Sequence, residues 1–252
     1  MLLWVGCIAG ASRGHAFRDR AAGHGHLGPS PVVPGPLQGG FWTPDDRIVF
    51  AVNAQSGLLQ VDAAGGTPTP VTTLAADEIR HGFPALLPDG RHFLYSAFSG
   101  NVNAGSTYLG SLDAKPEQQQ IKKVLSDRSR PAYVASANPG SKSGYLLFVR
   151  GSTLVAQAFN MGRLELAGDV QPIAENIAFD AFSASTNGVL VYLAGVGSGL
   201  QQFTWFDPQG QPHGTVGEPF IGGFVSEPAL SPDEKRLAFA RTDHSREMSI
   251  SG

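Results

Sequence analysis

The sequence predicts an all-β protein, and three observations lead to that prediction. Of the 252 residues, 32 are Gly and 18 are Pro while only 15% are charged, which favours many tight turns over long solvated helices. From Gly39 onward, short apolar runs alternate with turns rich in Pro, Asp, Asn and Gly. In addition, one combination of turn and strand recurs at a regular spacing. With 42% hydrophobic residues, the chain has enough apolar side chains to bury a core.

Residues 1–38 are expected to form a disordered or poorly packed lead-in. An apolar stretch at Leu2–Ala11 imitates a secretory signal peptide, but no Lys or Arg precedes it. The segment that follows is rich in Gly, Pro, His and Arg and has neither a helical nor an alternating period. One hypothesis is that these residues arise from a displaced start or reading frame.

The recurring unit is a turn followed by an apolar strand. It reads "TPDDRIVFA" at 43–51, "LPDGRHFLYS" at 87–96 and "SPDEKRLAFA" at 231–240, with a looser copy, "STNGVLVYLA", at 185–194. In chain order the four copies begin at residues 43, 87, 185 and 231, which gives intervals of 44, 98 and 46 positions. A degenerate copy near residue 137 divides the interval of 98 positions into two. A period of 44 to 49 residues with four predicted strands matches a β-propeller blade, because solenoid repeats are usually shorter or helical.

Each unit follows the same order: a short strand, a Pro-Asp-Gly-like turn, an apolar strand and a second hairpin. In the first turn Pro fixes φ, Asp accepts hydrogen bonds from local amides, and Gly or Asn adopts a positive φ. The second hairpin turn starts with a side chain that we expect to accept backbone N–H bonds, namely Asp62, Asp113, Asn160 or Asp207. Trp42 and Trp205 fall at strand positions where we expect bulky side chains to pack between blades.

The predicted fold is therefore a β-propeller of four-stranded antiparallel blades that is incomplete, with about four and a half blades. The propeller region is expected to span 39–252. Its predicted blades are 39–76, 80–126, 131–175, 179–218 and a partial blade at 225–252.

The repeat sequences resemble those of known propeller families. "TPDDRIVFA", "LPDGRHFLY" and "SPDEKRLAFA" resemble the WD-like repeats of TolB-type propellers. "GLLQVDAAGGTPTPVTTL", "HGFPALLPDGRHFLY", "YLLFVRGSTLVAQAFN" and "LELAGDVQPIAENI" are closer still to the propeller that follows the kinase domain in many bacterial eukaryotic-like serine/threonine protein kinases. The resemblance extends over about Gly39 to Arg241, and the ordered series of motifs makes it more specific than any one of them.

This resemblance implies a sensor or interaction surface on the far side of a membrane from the kinase, in the periplasm or outside the cell. The chain departs from such relatives because it has no Gly-rich phosphate loop before a "VAIK"-like strand, no "HRD" and no "DFG". It also ends within a blade. We therefore expect a fragment of a longer gene, and flanking DNA that encodes neither further repeats nor a kinase would contradict this expectation.

Several classes of chemistry find no support in the sequence. A net charge of −3 and a pI near 6.1 argue against nucleic-acid binding, which needs clustered Lys and Arg. The single cysteine, Cys7, excludes a cysteine-based zinc cluster. "GSKSG" at 140–144 carries Lys142 where a nucleophile elbow needs Ser. We expect no cofactor, no bound metal and no catalytic residue.

Three polar residues are candidates for a binding site in the channel of the propeller. His81, Asp180 and Glu227 are expected just before the first strand of a blade, and this innermost strand lines the channel in propellers. A few convergent polar groups are a common way to hold a ligand. Hydrogen bonding to a neighbouring blade is the alternative role for each residue.

The leading functional hypothesis is a non-catalytic binding or sensor module for a protein or small-molecule ligand, taken from a kinase ectodomain. The first alternative is the accessory propeller of a prolyl-oligopeptidase-like hydrolase whose catalytic domain is missing. The second is a propeller enzyme, such as a lactonase or lyase. Open blade edges also predict self-association and marginal stability of the isolated chain.

Overall fold

The computed structural model describes residues 37–52, 55–100, 105–119, 122–136, 138, 141, 143–184, 189–194, 200–206, 212–221, 225–230 and 237–241. The predicted lead-in up to residue 36 and the turn at Asp207 lie outside these ranges. Contacts between Cα atoms divide the chain into two compact units. The N-terminal unit holds most of the described residues before Val124, and the C-terminal unit holds those from Val124 onward together with Gly105–Thr107.

Two four-stranded sheets make up most of the N-terminal unit. Their strand orders are β1-β2-β3-β4 and β5-β6-β7-β8, so each sheet is built from consecutive strands. A 3-10 helix at Pro116–Gln118 lies between the last two strands. The strands are β1 (Leu37–Trp42), β2 (Arg47–Val52), β3 (Leu59–Asp62), β4 (Thr69–Pro70), β5 (Glu78–Leu86), β6 (His92–Ser99), β7 (Gly105–Ser111) and β8 (Lys122–Leu125).

The C-terminal unit has two further four-stranded sheets and a two-stranded sheet. Their orders are β9-β10-β11-β12, β13-β14-β15-β16 and β17-β18, and all their strand pairs are antiparallel. The strands are β9 (Ala132–Ala135), β10 (Ser143–Arg150), β11 (Thr153–Asn160), β12 (Glu165–Ala174), β13 (Ile177–Ala184), β14 (Leu190–Ala194), β15 (Leu200–Phe206), β16 (Pro212–Ile221), β17 (Val225–Leu230) and β18 (Leu237–Arg241).

These sheets confirm the predicted fold class. The structure has four consecutive four-stranded antiparallel sheets arranged as a β-propeller, and a two-stranded sheet follows them. β1 begins at Leu37, two positions before the predicted start of the propeller. No helix in the described part of the chain is long and apolar enough to cross a membrane.

An apolar core lies between the two sheets of the N-terminal unit. β2 contributes Val49 and Ala51 and β6 contributes Phe93, Tyr95 and Ala97, and all five are buried. Alternate residues of a strand point to the same face of its sheet, so these side chains form one continuous layer. On the other face of β2, Phe50 and Val52 are also buried, as expected for a strand whose sheet is covered on both faces.

A second core fills the space between the first two sheets of the C-terminal unit. Leu147 and Val149 of β10 pack there with Ile177 and Phe182 of β13. Each of these side chains is at most 7% exposed, so the predicted alternation of large apolar residues again produces a buried layer.

Of the first turns at Asp45 and Asp89, which the structure describes, the one at Asp89 is built as predicted, whereas the Asp45 carboxylate bonds the side chains of Thr43 and Arg47. The Asp89 carboxylate accepts hydrogen bonds from the backbone N–H groups of Arg91 and His92, at 3.0 and 2.9 Å. Gly90 follows with a φ of +67°. At the equivalent position of the first repeat Asp46 adopts a φ of +59°, so Asp can also take the left-handed conformation that this turn requires.

The second turns follow the prediction at two of the three described positions. The Asp62 carboxylate accepts a bond from the Ala64 N–H at 2.8 Å, and the Asn160 amide oxygen accepts bonds from the N–H groups of Gly162 and Arg163 at 2.9 and 3.0 Å. Asp113 differs, because its carboxylate forms an ion pair with the guanidinium of Arg91 from the neighbouring turn.

The expectation that Trp42 packs in the core is wrong. Trp42 is the last residue of β1 and is 37% exposed. Its indole N–H donates a hydrogen bond to the Asp46 carboxylate at 3.3 Å. The indole therefore lies at the solvent end of the strand, where the chain turns. Trp205 is partly buried.

Candidate functional site

His81 lies in the middle of β5 and connects the two sheets of the N-terminal unit. Its backbone N–H donates a hydrogen bond to the Ser56 carbonyl, in the loop after β2, at 3.0 Å. The C-terminal unit repeats this bond, since the Ile177 N–H donates to the Ser152 carbonyl at 2.8 Å. His81 therefore occupies a position that another repeat fills with an apolar residue.

The imidazole of His81 is fully buried and contacts one residue through each ring nitrogen. Nδ1 lies 2.7 Å from the hydroxyl oxygen of Thr72, which follows β4 of the first sheet. Nε2 lies 2.9 Å from a carboxylate oxygen of Glu78, at the start of β5. The side chain of Glu78 is only 8% exposed. The ring thus connects a hydroxyl of one sheet to a carboxylate of the next.

Backbone amides complete this Thr72–His81–Glu78 network at both ends. The Leu58 N–H donates to the Thr72 hydroxyl oxygen, and the Ala75 N–H donates to the Glu78 carboxylate, each at 2.7 Å. A neutral imidazole satisfies every contact when the Thr72 hydroxyl donates to Nδ1 and the proton on Nε2 is donated to Glu78. We assign this tautomer from the hydrogen-bond pattern.

A series of aromatic rings extends from the buried imidazole across the second sheet. The ring centroids of His81 and Tyr95 are 4.8 Å apart, and those of Tyr95 and Tyr108 are 5.9 Å apart in a stacked arrangement. Burial is the main cause that raises the pKa of Tyr95, and the nearby Glu78 and Tyr108 raise it further. Among the described residues, no group forms a hydrogen bond with the Tyr95 hydroxyl.

The order hydroxyl, imidazole, carboxylate is also the order found in nucleophilic hydrolases. In this chain it does not provide an accessible nucleophile. Thr72 is 3% exposed, and its oxygen accepts the Leu58 N–H while its proton is directed to His81. The hydroxyl is therefore buried and hydrogen-bonded to two groups in the described part of the chain. The network connects the two sheets of the N-terminal unit through hydrogen bonds.

The three candidate residues are not brought together in one described cluster. His81 belongs to the network in the N-terminal unit. Asp180 lies on β13 and Glu227 on β17, the first strands of two sheets in the C-terminal unit, and their side chains lie outside the described part. The binding role of Asp180 and Glu227 stays a prediction.

The sequence reasoning missed Thr72 and Glu78. Residues three apart on a regular strand point to opposite faces, but the pairing of β5 with β6 shifts register between Glu78 and Arg80, and the Glu78 side chain reaches His81. Thr72 gave no signal, because it lies in an ordinary Thr-Thr pair and contacts His81 only through the packing of two sheets. Within the described ranges, no group of three or more His, Cys, Asp or Glu residues could hold a metal ion.

Comparisons with known proteins identify the fold and no family. No family model matches the chain, and no curated protein matches it. TolB from Acinetobacter baumannii has a similar structure, with a TM-score of 0.59 and 19% identity over 83% of this chain and 50% of TolB. Regucalcin, a calcium-binding protein from Agrobacterium tumefaciens, aligns with a TM-score of 0.57 and 17% identity over 85% of this chain and 71% of regucalcin.

A third similar structure belongs to a much longer enzyme. Prolyl oligopeptidase B from Galerina marginata aligns with a TM-score of 0.53 and 10% identity, over 84% of this chain and 33% of that enzyme. At these identities the likenesses show a β-propeller fold, and they show the fold alone. The similar proteins include both enzymes and non-enzymes.

Proposed function

We propose that this propeller is a non-catalytic module that binds a protein or small-molecule ligand. The observation that carries the proposal is the complete burial of His81 within the Thr72–His81–Glu78 network. The hydroxyl that would act as the nucleophile in a hydrolase is itself buried, and its oxygen accepts a hydrogen bond from the backbone N–H of Leu58. Because Thr72, His81 and Glu78 stabilise the fold, we infer that the propeller binds a ligand and does not convert it.

The parent protein is proposed to be a membrane-anchored serine/threonine kinase that carries the propeller outside the cytoplasm. Support for this part comes from the sequence motifs of the repeats, such as "GLLQVDAAGGTPTPVTTL". DNA sequencing on both sides of the coding region tests it. A kinase domain and a membrane-spanning segment upstream agree with the proposal, whereas a G-x-S-x-G hydrolase domain downstream favours the alternative of an accessory propeller of a prolyl-oligopeptidase-like enzyme.

The binding role is tested by a thermal-shift screen of the full chain against amino acids, short peptides, sugars, nucleotides and organic acids. A compound that binds the folded state raises Tm by mass action. Each compound that does so is then followed by mass spectrometry for conversion. We expect at least one compound to raise Tm and none to be converted.

A matched variant separates binding from hidden catalysis. Thr72→Val keeps the shape of the side chain and removes its hydroxyl. Conversion of a compound by the wild-type chain that is lost in Thr72→Val would contradict the proposal and make the network an active site. Conversion that persists in the variant would also contradict it and would place the chemistry elsewhere.

A further inference from the structure

The last strands of the four-stranded sheets differ greatly in length. β4 has two residues and β8 has four, whereas β12 and β16 have ten each. In the described part of the chain, no strand pairs with the outer side of any of these four strands. A long free edge offers backbone N–H and C=O groups to a strand of another chain, whereas a very short edge offers few. β12 and β16 are therefore the two edges that are long enough to pair with another chain.

β12 and β16 carry the same irregularity near the middle of the strand. In β12 the three residues 168–170 lie opposite the single residue Gln157 of β11. In β16 the three residues 217–219 lie opposite the single residue Gln202 of β15. A regular ladder would place one residue opposite one, so each of these segments is a β-bulge with two extra residues. Two consecutive sheets of the C-terminal unit thus repeat one backbone feature.

Each bulge begins with a glycine that the backbone conformation requires. The φ is +66° at Gly168 and +63° at Gly217, values that favour glycine. A Cβ on Gly168 would meet no atom within 4 Å, so the conformation and not a lack of space calls for glycine there. The Gly168 carbonyl oxygen accepts a hydrogen bond from the side-chain amide of Gln157 at 2.8 Å. The first bulge is thus held by its own sheet.

Each bulge also places a charge and a proline on the outer strand. The residue after the glycine is acidic, Asp169 in β12 and Glu218 in β16, and both are exposed. Pro219 lies within the second bulge and Pro172 lies two residues after the first, and both prolines are exposed. A proline has no N–H to donate to a neighbouring strand. Bulges, charges and prolines are the features with which proteins keep sheet edges from pairing.

We propose that the bulges at 168–170 and 217–219 prevent β12 and β16 from pairing with a strand of a second copy of this chain. A partner strand would meet an interrupted ladder, an exposed carboxylate and a residue without an N–H. The other two outer strands are protected differently, because β4 and β8 are short and β8 begins with two lysines. This inference concerns assembly of the chain and does not depend on the proposed binding function.

Removing two residues from each bulge tests the inference, because it restores a regular ladder. Deleting Asp169 and Val170 leaves one residue opposite Gln157 and keeps the remaining side chains on their own faces, since the side-chain period of a strand is two. Deleting Glu218 and Pro219 does the same in β16. Sedimentation velocity compares each deletion variant with the wild-type full chain. We expect self-association to be tighter by about tenfold or more, because a few added backbone hydrogen bonds supply that factor.

Hydrogen exchange followed by mass spectrometry locates the new contact. The backbone amides of β12 should become protected in the first deletion variant, and those of β16 in the second. Circular dichroism verifies that both variants are folded. Folded variants that self-associate no more tightly than the wild type would overturn the inference. Protection that appears only in other strands would overturn it as well.

A point substitution decides the question if the shortened strands do not fold. Asp169→Val keeps the chain length, removes the charge from the edge and adds a side chain that favours strands. Glu117→Val is the matched control, because Glu117 is an exposed acidic residue of the 3-10 helix. We expect Asp169→Val to self-associate more tightly than Glu117→Val by about threefold or more. Equal self-association of the two variants would overturn the inference.

Discussion

At the scale of single residues, Gly57 lies where two backbone segments are too close together to leave room for a Cβ atom. A Cβ on Gly57 would collide with the backbone carbonyl of Thr72, the residue whose hydroxyl contacts His81. Backbone atoms cannot rotate away as a flexible side chain can. Gly57 thus allows the loop after β2 to pack against the segment that follows β4.

Gly57→Ala is therefore expected to destabilise the protein by about 1–3 kcal/mol, the usual cost of forcing extra atoms into a packed region. Urea denaturation measures the change. Gly100→Ala is the matched control, because a Cβ there meets nothing within 4 Å. Its effect should stay within about 0.5 kcal/mol. Equal losses in the two variants would show that the Gly57 contact is not the cause.

Tyr95→Phe is expected to leave the stability at neutral pH unchanged or to raise it by up to about 1 kcal/mol. The reason is that the buried Tyr95 hydroxyl forms no hydrogen bond with the described residues, so its removal orphans no partner. Urea midpoints of the two proteins at pH 8 measure the effect. A loss of more than about 1 kcal/mol would reveal a partner for the hydroxyl.

The raised pKa of Tyr95 also predicts how the stability of the protein changes at alkaline pH. Its folded-state pKa is raised, chiefly by burial, so the folded protein keeps the phenol proton at pH values where the unfolded chain releases it. The contribution of this group is fully present below the unfolded pKa, near 10, and is lost as the pH rises towards the higher folded pKa. Urea midpoints at pH 8 and 10.5 should fall further in the wild type than in Tyr95→Phe.

Single residues of the turns were well predicted from the sequence, whereas buried polar contacts were not. The Asp89 carboxylate bonds a backbone N–H two residues along the chain, and Gly90 adopts a positive φ within the same turn. Both features depend only on the local sequence, so the rules for turns predict them. The Thr72–His81 contact joins residues of two sheets and depends on how those sheets pack. Trp42 was wrongly placed in the core because the sequence does not show where β1 stops.

At the scale of elements, the connection between β7 and β8 is held by one buried amide. Gln119 is 2% exposed, and its side chain accepts a bond from the Ser111 N–H at 2.9 Å. The same amide donates to the carbonyls of Ser111 and Ala114, at 2.9 and 3.0 Å. Gln119 follows the 3-10 helix. Its side-chain amide takes the place of backbone hydrogen bonds where the chain turns between β7 and β8.

Gln119→Leu is expected to cost about 1–3 kcal/mol, since it leaves buried backbone groups without partners. Gln118→Leu is the matched control, because Gln118 is the exposed neighbour in the 3-10 helix. Thermal unfolding followed by circular dichroism compares the two variants. Similar melting temperatures would mean that water replaces the amide of Gln119 at no cost.

The order of the strands was predictable because a period of 44 to 49 residues is long enough for four strands in each sequence repeat. Strand lengths were less predictable. β4 has two residues whereas β12 has ten, although both are the last strands of their sheets. β12 pairs with β11 along its whole length, with two bulges, whereas β4 pairs with β3 only at Thr69 and Pro70.

At the scale of the whole molecule, the repeated turn and strand explain the propeller fold, and the chemistry of the site comes from a departure from the repeat. His81 takes the place that Ile177 takes in a later repeat, judged by their equivalent backbone bonds. A polar residue at that position requires Thr72 and Glu78 as partners, because buried polar groups are costly without hydrogen bonds. Self-association of the chain stays a prediction, and sedimentation velocity tests it.

A double-mutant cycle on the free energy of unfolding tests most directly the central claim that the hydrogen bond between Thr72 and His81 joins the two sheets of the N-terminal unit. Thr72→Val removes the hydroxyl, and His81→Gln keeps a group that reaches Glu78 but loses the contact to Thr72. We predict a coupling energy of about 1 kcal/mol or more between the two substitutions, because they remove one shared hydrogen bond. Additive effects within about 0.3 kcal/mol would contradict the claim and leave His81 free to serve another role.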